Sequence, residues 1–173
     1  PVSDPAPEPR AHPELEVLGL PGRVELQRRL PRLLLGVVLL GTGIAMTLEA
    51  ELGVSPYDVL HQGISRVTGL SFGVVVVGVG LLVLLLWIPL RQRIGIGTAI
   101  NTLTVGFIVD FVLSNLGNAD SLALRWVYLL GGIVVTAFGI GLYIGAGLGP
   151  GPRDGLMTGI AARGHPVWIV RTG

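Results

Sequence analysis

Two stretches of the 173-residue chain read as one motif written twice. Residues 36–64 are GVVLLGTGIAMTLEAELGVSPYDVLHQGI, and residues 132–160 are GIVVTAFGIGLYIGAGLGPGPRDGLMTGI. At a constant offset of 96 and without a gap, twelve of the 29 positions are identical. The shared core is Gly–x–x–Pro–x–Asp–x–Leu–x–x–Gly–Ile, running from Gly53 to Ile64 and from Gly149 to Ile160. Each copy couples an apolar run to a proline-led turn. If that turn does not cross a membrane, one copy contains three spans, and an odd count places the second copy upside down. This is the inverted-repeat plan of many transporters, with sites near the repeat interface.

The surrounding composition supplies the membrane. Half of the residues are apolar and 13% are charged, against about 25% in soluble domains. The mean hydropathy is +0.72. Residues 1–32 hold ten of the 23 charged side chains. Long apolar runs extend from Leu33 to about Leu52, Leu70 to Leu90, Ile94 to Leu116 and Trp126 to about Leu148. Each approaches the ~20 residues that cross about 30 Å of hydrocarbon. Backbone groups in lipid must pair internally, so such runs are helices. The short alternating segments of a β-barrel are absent. A fifth run starts at Pro166 and stops with the sequence, which also lacks an initial Met, so a longer protein is expected.

The expected fold is therefore all-α: a polytopic transmembrane helix bundle with an inverted internal repeat and short interfacial or re-entrant helices. Residues 1–29 form a disordered or extended tail, rich in proline and charge. Residues 30–173 form the transmembrane domain. Its first repeat covers about 31–117, and its second, truncated repeat covers about 126–173. With the N-terminus in the cytoplasm, eight arginines from Arg23 to Arg163 fall inside and two, Arg66 and Arg125, fall outside. That is a clear positive-inside bias. Trp87, Trp126 and Trp168 sit near span ends, as an aromatic belt would place them, although tryptophan is also a common packing residue.

The candidate site residues follow from the two motifs. Ser55 is an N-cap, Pro56 the first helical residue and Asp58 the third, the spacing of a capping box. Gly151, Pro152, Arg153 and Asp154 repeat the pattern with glycine at the cap. Each turn starts a helix of about 10–12 residues, roughly 16 Å long and half a bilayer. Tyr57, Leu60, Ile64 and Val67 share one face, with Asp58, His61, Gln62 and Ser65 mostly opposite. Paired helix N-termini offer free N–H groups and partial positive charge to a polar or anionic solute. Asp110 and Asn101 are the polar residues of the third span, where a carboxylate faces a cavity or a partner. Ser55, Asp58, His61, Asn101, Asp110, Gly151, Arg153 and Asp154 are thus the candidate solute-binding set. Gly141/Gly145, Gly145/Gly149 and Gly69/Gly73 have the spacing of close helix packing.

Other classes are disfavoured. Net charge is +1, all twelve cations are arginine, and no basic cluster is interleaved with aromatics, so nucleic acid is not expected. Cysteine is absent, and no histidine–carboxylate spacing suggests a metal. No cofactor motif and no catalytic set is present, so no enzyme is expected. The partners expected are the lipid bilayer and a small polar or anionic solute, with a second copy of the chain left open. A non-transporting scaffold or regulator is the rival reading.

Leu52–Gly63, Thr68–Gly73 and Gly147–Gly159 together resemble the YitT/YczE-type bacterial multi-pass membrane proteins. The resemblance spans about residues 30–173. It implies a cytoplasmic-membrane protein of about five or six spans with no settled activity, and it carries no catalytic residues over.

Overall fold

The computed structural model describes residues 23–90 and 94–155. The N-terminal tail to residue 22, Arg91, Arg93, Arg163, Trp168 and the run from Pro166 lie outside the described residues. The described chain is α-helical, with no strand. Helix α1 is Arg23–Glu49, α2 Pro56–Thr68, α3 Phe72–Leu90, α4 Ile96–Asn115 and α5 Leu122–Gly145. Helix α1 thus begins inside the stretch expected as tail. All but α2 are long and apolar enough to span a bilayer. Large apolar side chains such as Ile88, Phe107, Phe111 and Phe138 point outward and stay exposed. Lipid, not water, is the solvent such a surface fits.

Helix α2 is set by its ends. The Ser55 hydroxyl accepts the Asp58 N–H at 3.3 Å and donates to the Asp58 carboxylate at 2.6 Å. Pro56 occupies the first position, where its missing N–H leaves nothing unpaired. Gly69, at φ 72°, closes the other end by donating its N–H to Ser65 O. The amphipathic pattern is turned inside out. Val59, Leu60 and Val67 are exposed, whereas His61, on the polar face, is 1% exposed.

Four glycines bring α1 and α5 together. A Cβ at Gly36 would lie 3.0 Å from Gly139 O, and one at Gly43 would lie 2.7 Å from Gly132 O. The converse contacts hold at Gly139 with Gly36 O and at Gly132 with Gly43 O. As numbers rise along α1 they fall along α5, so the two helices are antiparallel. Helices α3 and α4 are likewise antiparallel, with Gly73 against Gly106 and Gly80 against Thr102. Helix α4 runs parallel to α1: Val105 packs with Leu33 and Val37, and Val109 with Ala45 and Leu48. Of the spacings singled out in the sequence, Gly73 is a helix contact. Gly141 meets nothing within 4 Å, and Gly145 faces the Arg32 guanidinium. The crossing glycines are spaced by seven, two helical turns, instead of four.

The turns after α1 and α5 share one backbone shape at the offset of 96. Glu51 and Gly147 have φ of 51° and 64°, and Gly53 and Gly149 have φ of 131° and 124°. Ala50 N donates to Met46 O and Ala146 N to Leu142 O, both at 3.0 Å. Val59 N donates to Ser55 O and Gly155 N to Gly151 O, at 3.0 and 2.9 Å.

Candidate functional site

The second Pro–Asp segment is anchored by three donors from α3 and α4. Gly97 N–H donates to Leu148 O at 2.8 Å, Thr98 Oγ1 to Pro150 O at 2.7 Å, and Trp87 Nε1 to Pro152 O at 3.1 Å. Trp87 is therefore a buried structural donor and not part of an aromatic belt. The indole is fully buried, which its position near a helix end did not reveal. Trp126 is half exposed, as a belt residue would be. At Gly151, where the first copy has Ser55, a Cβ would sit 3.2 Å from the Asp154 carboxylate, close enough that this flexible side chain would have to shift slightly.

The two segments meet across a cavity of about 280 Å³. Ser55, Tyr57, Asp58 and His61 line it from one side, and Gly151, Pro152, Arg153 and Asp154 from the other. Its apolar wall includes Leu40, Ile44, Val76, Val105, Val109 and Ile140. Asn101, Thr102, Thr136 and Tyr143 add polar groups. The space admits several waters or a small organic solute. The Arg153 guanidinium lies over the Tyr57 ring, 5.6 Å from its centroid. Burial pushes the Tyr57 phenol above its ordinary value. Arg153 pulls it the other way and Asp58 adds to the rise.

Several groups in this cavity lack partners. Both ring nitrogens of His61 and the Asn101 Oδ1 are buried and make no hydrogen bond among the described residues, while the buried Tyr143 hydroxyl has only Thr98 near it. His61 is held between aromatic edges, with ring centroids 4.4 Å from Tyr57 and 5.8 Å from Phe72. Its Nδ1 is 3.9 Å from the Asp58 carboxylate, beyond hydrogen-bonding reach. Leaving a buried donor or acceptor unpaired costs about 1–3 kcal/mol. These unsatisfied groups belong to residues that line one cavity.

Seven of the eight candidate residues converge here: Ser55, Asp58, His61, Asn101, Gly151, Arg153 and Asp154. Asp110 does not. Its Oδ1 accepts the Gly73 N–H at 2.7 Å, so it caps the start of α3 from the neighbouring helix. Glu51 pairs with Arg125 at 3.0 Å, away from the cavity. The described residues contain no cluster of metal-ligating side chains.

Comparison with known proteins places this architecture. A profile of a family of unknown function, DUF6198, matches residues 27–173. The chain belongs to the DUF6198 family. An uncharacterized protein of Haemophilus influenzae is 36% identical over 133 residues, covering 77% of the chain and 61% of the relative. The uncharacterized membrane protein YczE of Bacillus subtilis is 32% identical over 141 residues, covering 80% and 66%. The uncharacterized protein YyaS of the same organism is 29% identical over 127 residues, covering 70% and 63%. The chain thus matches just under two thirds of the length of these relatives. No solved structure matches. The DUF6198 chain is an integral membrane protein of YczE type, as its motifs suggested.

The sequence motifs do not single out Tyr57, Thr136 and Tyr143 as site residues. Tyr143 and Thr136 occupy apolar spans at spacings no different from packing residues. Tyr57 at least lies inside the Pro–Asp motif, directly opposite Arg153 in the repeat alignment.

Proposed function

We propose that this protein is a multi-pass transporter of a small polar solute, working in the bacterial cytoplasmic membrane without chemistry on the solute. The observation that carries the reading is the position of the cavity relative to the repeat. The antiparallel contacts Gly36–Gly139 and Gly43–Gly132 exchange equivalent positions, since 36 aligns with 132 and 43 with 139. A pseudo-two-fold axis relating the copies would pass near Leu40 and Thr136, which are aligned positions and both line the cavity. It would also pass between Tyr57 and Arg153, another aligned pair in contact. The matching turns at 50–53 and 146–149 support one unit used twice in opposite senses. A solute site on such an axis is what alternating access by inverted repeats requires.

The positive-inside bias of the arginines supports a cytoplasmic N-terminus. The unpartnered polar atoms in the cavity favour a solute site over the scaffold reading, since a scaffold has no use for them. The test is flux through the full-length protein in liposomes, read as solute-induced current with a panel of amines, amino acids, hydroxy acids and carboxylates. A saturable signal that disappears in His61→Leu and Asn101→Leu is expected. No saturable signal from any class refutes transport.

A further inference from the structure

Resting on the solute-site reading, we propose that the solute carries an ammonium group and that Arg153 occupies the seat of that group when the site is free of solute. Two carboxylates, Asp58 and Asp154, line the cavity against one guanidinium. The N-terminus of α2 adds about half a positive charge, and Asp58 already stands in its first turn, so no positive excess is left for an anion. One buried acceptor calls for a donor on the solute. Asn101 Oδ1 is a buried acceptor with no donor, and the residue is 6% exposed. Asp58 spends one oxygen on Ser55, while the other makes no hydrogen bond. An ammonium offers three donors and no acceptor.

The seat itself is visible. The Tyr57 ring presents its negative face to Arg153. Among the described residues Arg153 forms no ion pair. An exposed arginine over an aromatic ring, in a lining that also holds two carboxylates, is a tethered cation in a candidate cation site. A solute ammonium would displace it toward solvent, where Arg153 is already exposed. A carboxylate on the same solute would then meet the displaced guanidinium, so a zwitterion fits as well as a simple amine.

The test uses the full-length protein in detergent, with methylammonium chloride and sodium acetate at matched ionic strength. The readout is the unfolding temperature, with far-UV circular dichroism as the check on folding. Methylammonium is expected to give a saturable rise that is lost in the Asp58→Asn/Asp154→Asn double variant. Arg153→Gln is expected to bind methylammonium about three- to tenfold more tightly, because the competing cation is gone. A gain of this kind cannot come from misfolding. Saturable stabilisation by acetate but not methylammonium leaves the solute site standing and removes the ammonium assignment. Weaker methylammonium binding in Arg153→Gln removes it too. No saturable effect of either ion removes both readings.

Discussion

The crossing of α1 and α5 makes a quantitative prediction. A Cβ added at Gly43 would lie 2.7 Å from both Gly132 O and Thr136 N, and closer still to Thr136 Oγ1. The hydroxyl can rotate away, but the two backbone atoms cannot. Relief to an ordinary contact of about 3.5–4.0 Å requires the helices to separate locally by nearly 1 Å. A gap of that size forfeits a quarter to a half of the dispersion energy of each contact across it. Overpacking of this kind costs about 1–3 kcal/mol. Alanine also raises helix propensity by up to about 1 kcal/mol over glycine, so Gly43→Ala alone would underreport the cost. Gly78 on α3 has nothing within 4 Å of its Cβ position and serves as the control. Unfolding free energies in mixed micelles should differ by about 1–3 kcal/mol between Gly43→Ala and Gly78→Ala, since the propensity gain cancels. Gly139→Ala should match Gly43→Ala, because its Cβ would lie 2.6 Å from Leu40 N and 2.9 Å from Gly36 O. Equal stabilities for Gly43→Ala and Gly78→Ala would refute the close antiparallel crossing.

Other substitutions separate structure from solute handling. Asp110→Ala should lower stability by about 1–2 kcal/mol through loss of the Gly73 cap, with solute affinity unchanged in flux measurements. Trp87→Phe keeps an aromatic ring but removes the N–H to Pro152 O and one ring of a fully buried indole. It should cost about 2–4 kcal/mol and weaken solute affinity by loosening the Arg153–Asp154 segment. His61→Leu removes two unpaired ring nitrogens, so chemical denaturation should show equal or higher stability, by about 1 kcal/mol, while solute-induced current is lost.

The sequence and the structure agree most where a local rule acts. Ser55, Pro56 and Asp58 are a capping pattern readable from four residues, and the structure forms it with the expected bonds. Four apolar runs give four spanning helices for the same reason. The cavity was legible only through its motif ends. Long-range packing decides which residues of an apolar helix turn inward, so Tyr143 and Thr136 carried no signal beyond their polarity. Asp110 shows the converse: a carboxylate in a span reads as a solute ligand, but a neighbouring helix start claims it. Trp87 had two roles open to an amphipathic ring, and the carbonyl of Pro152, distant in sequence, selected the buried one. Glycine spacing alone misled for the same reason. Gly36 and Gly43 matter because Gly139 and Gly132 face them, which no spacing within one helix records.

The proposed insertion of the two Pro–Asp segments from opposite sides can be tested directly. The 173-residue sequence has no cysteine, so within it a single one at position 51 or 147 is the sole target for an impermeant maleimide. Glu51, itself at φ 51°, shows that a side chain is tolerated at this point of the turn. In sealed vesicles of known orientation, Glu51→Cys should label from one side of the membrane and Gly147→Cys from the other. Labelling of both from the same side would contradict the flipped arrangement and the shared cavity built on it.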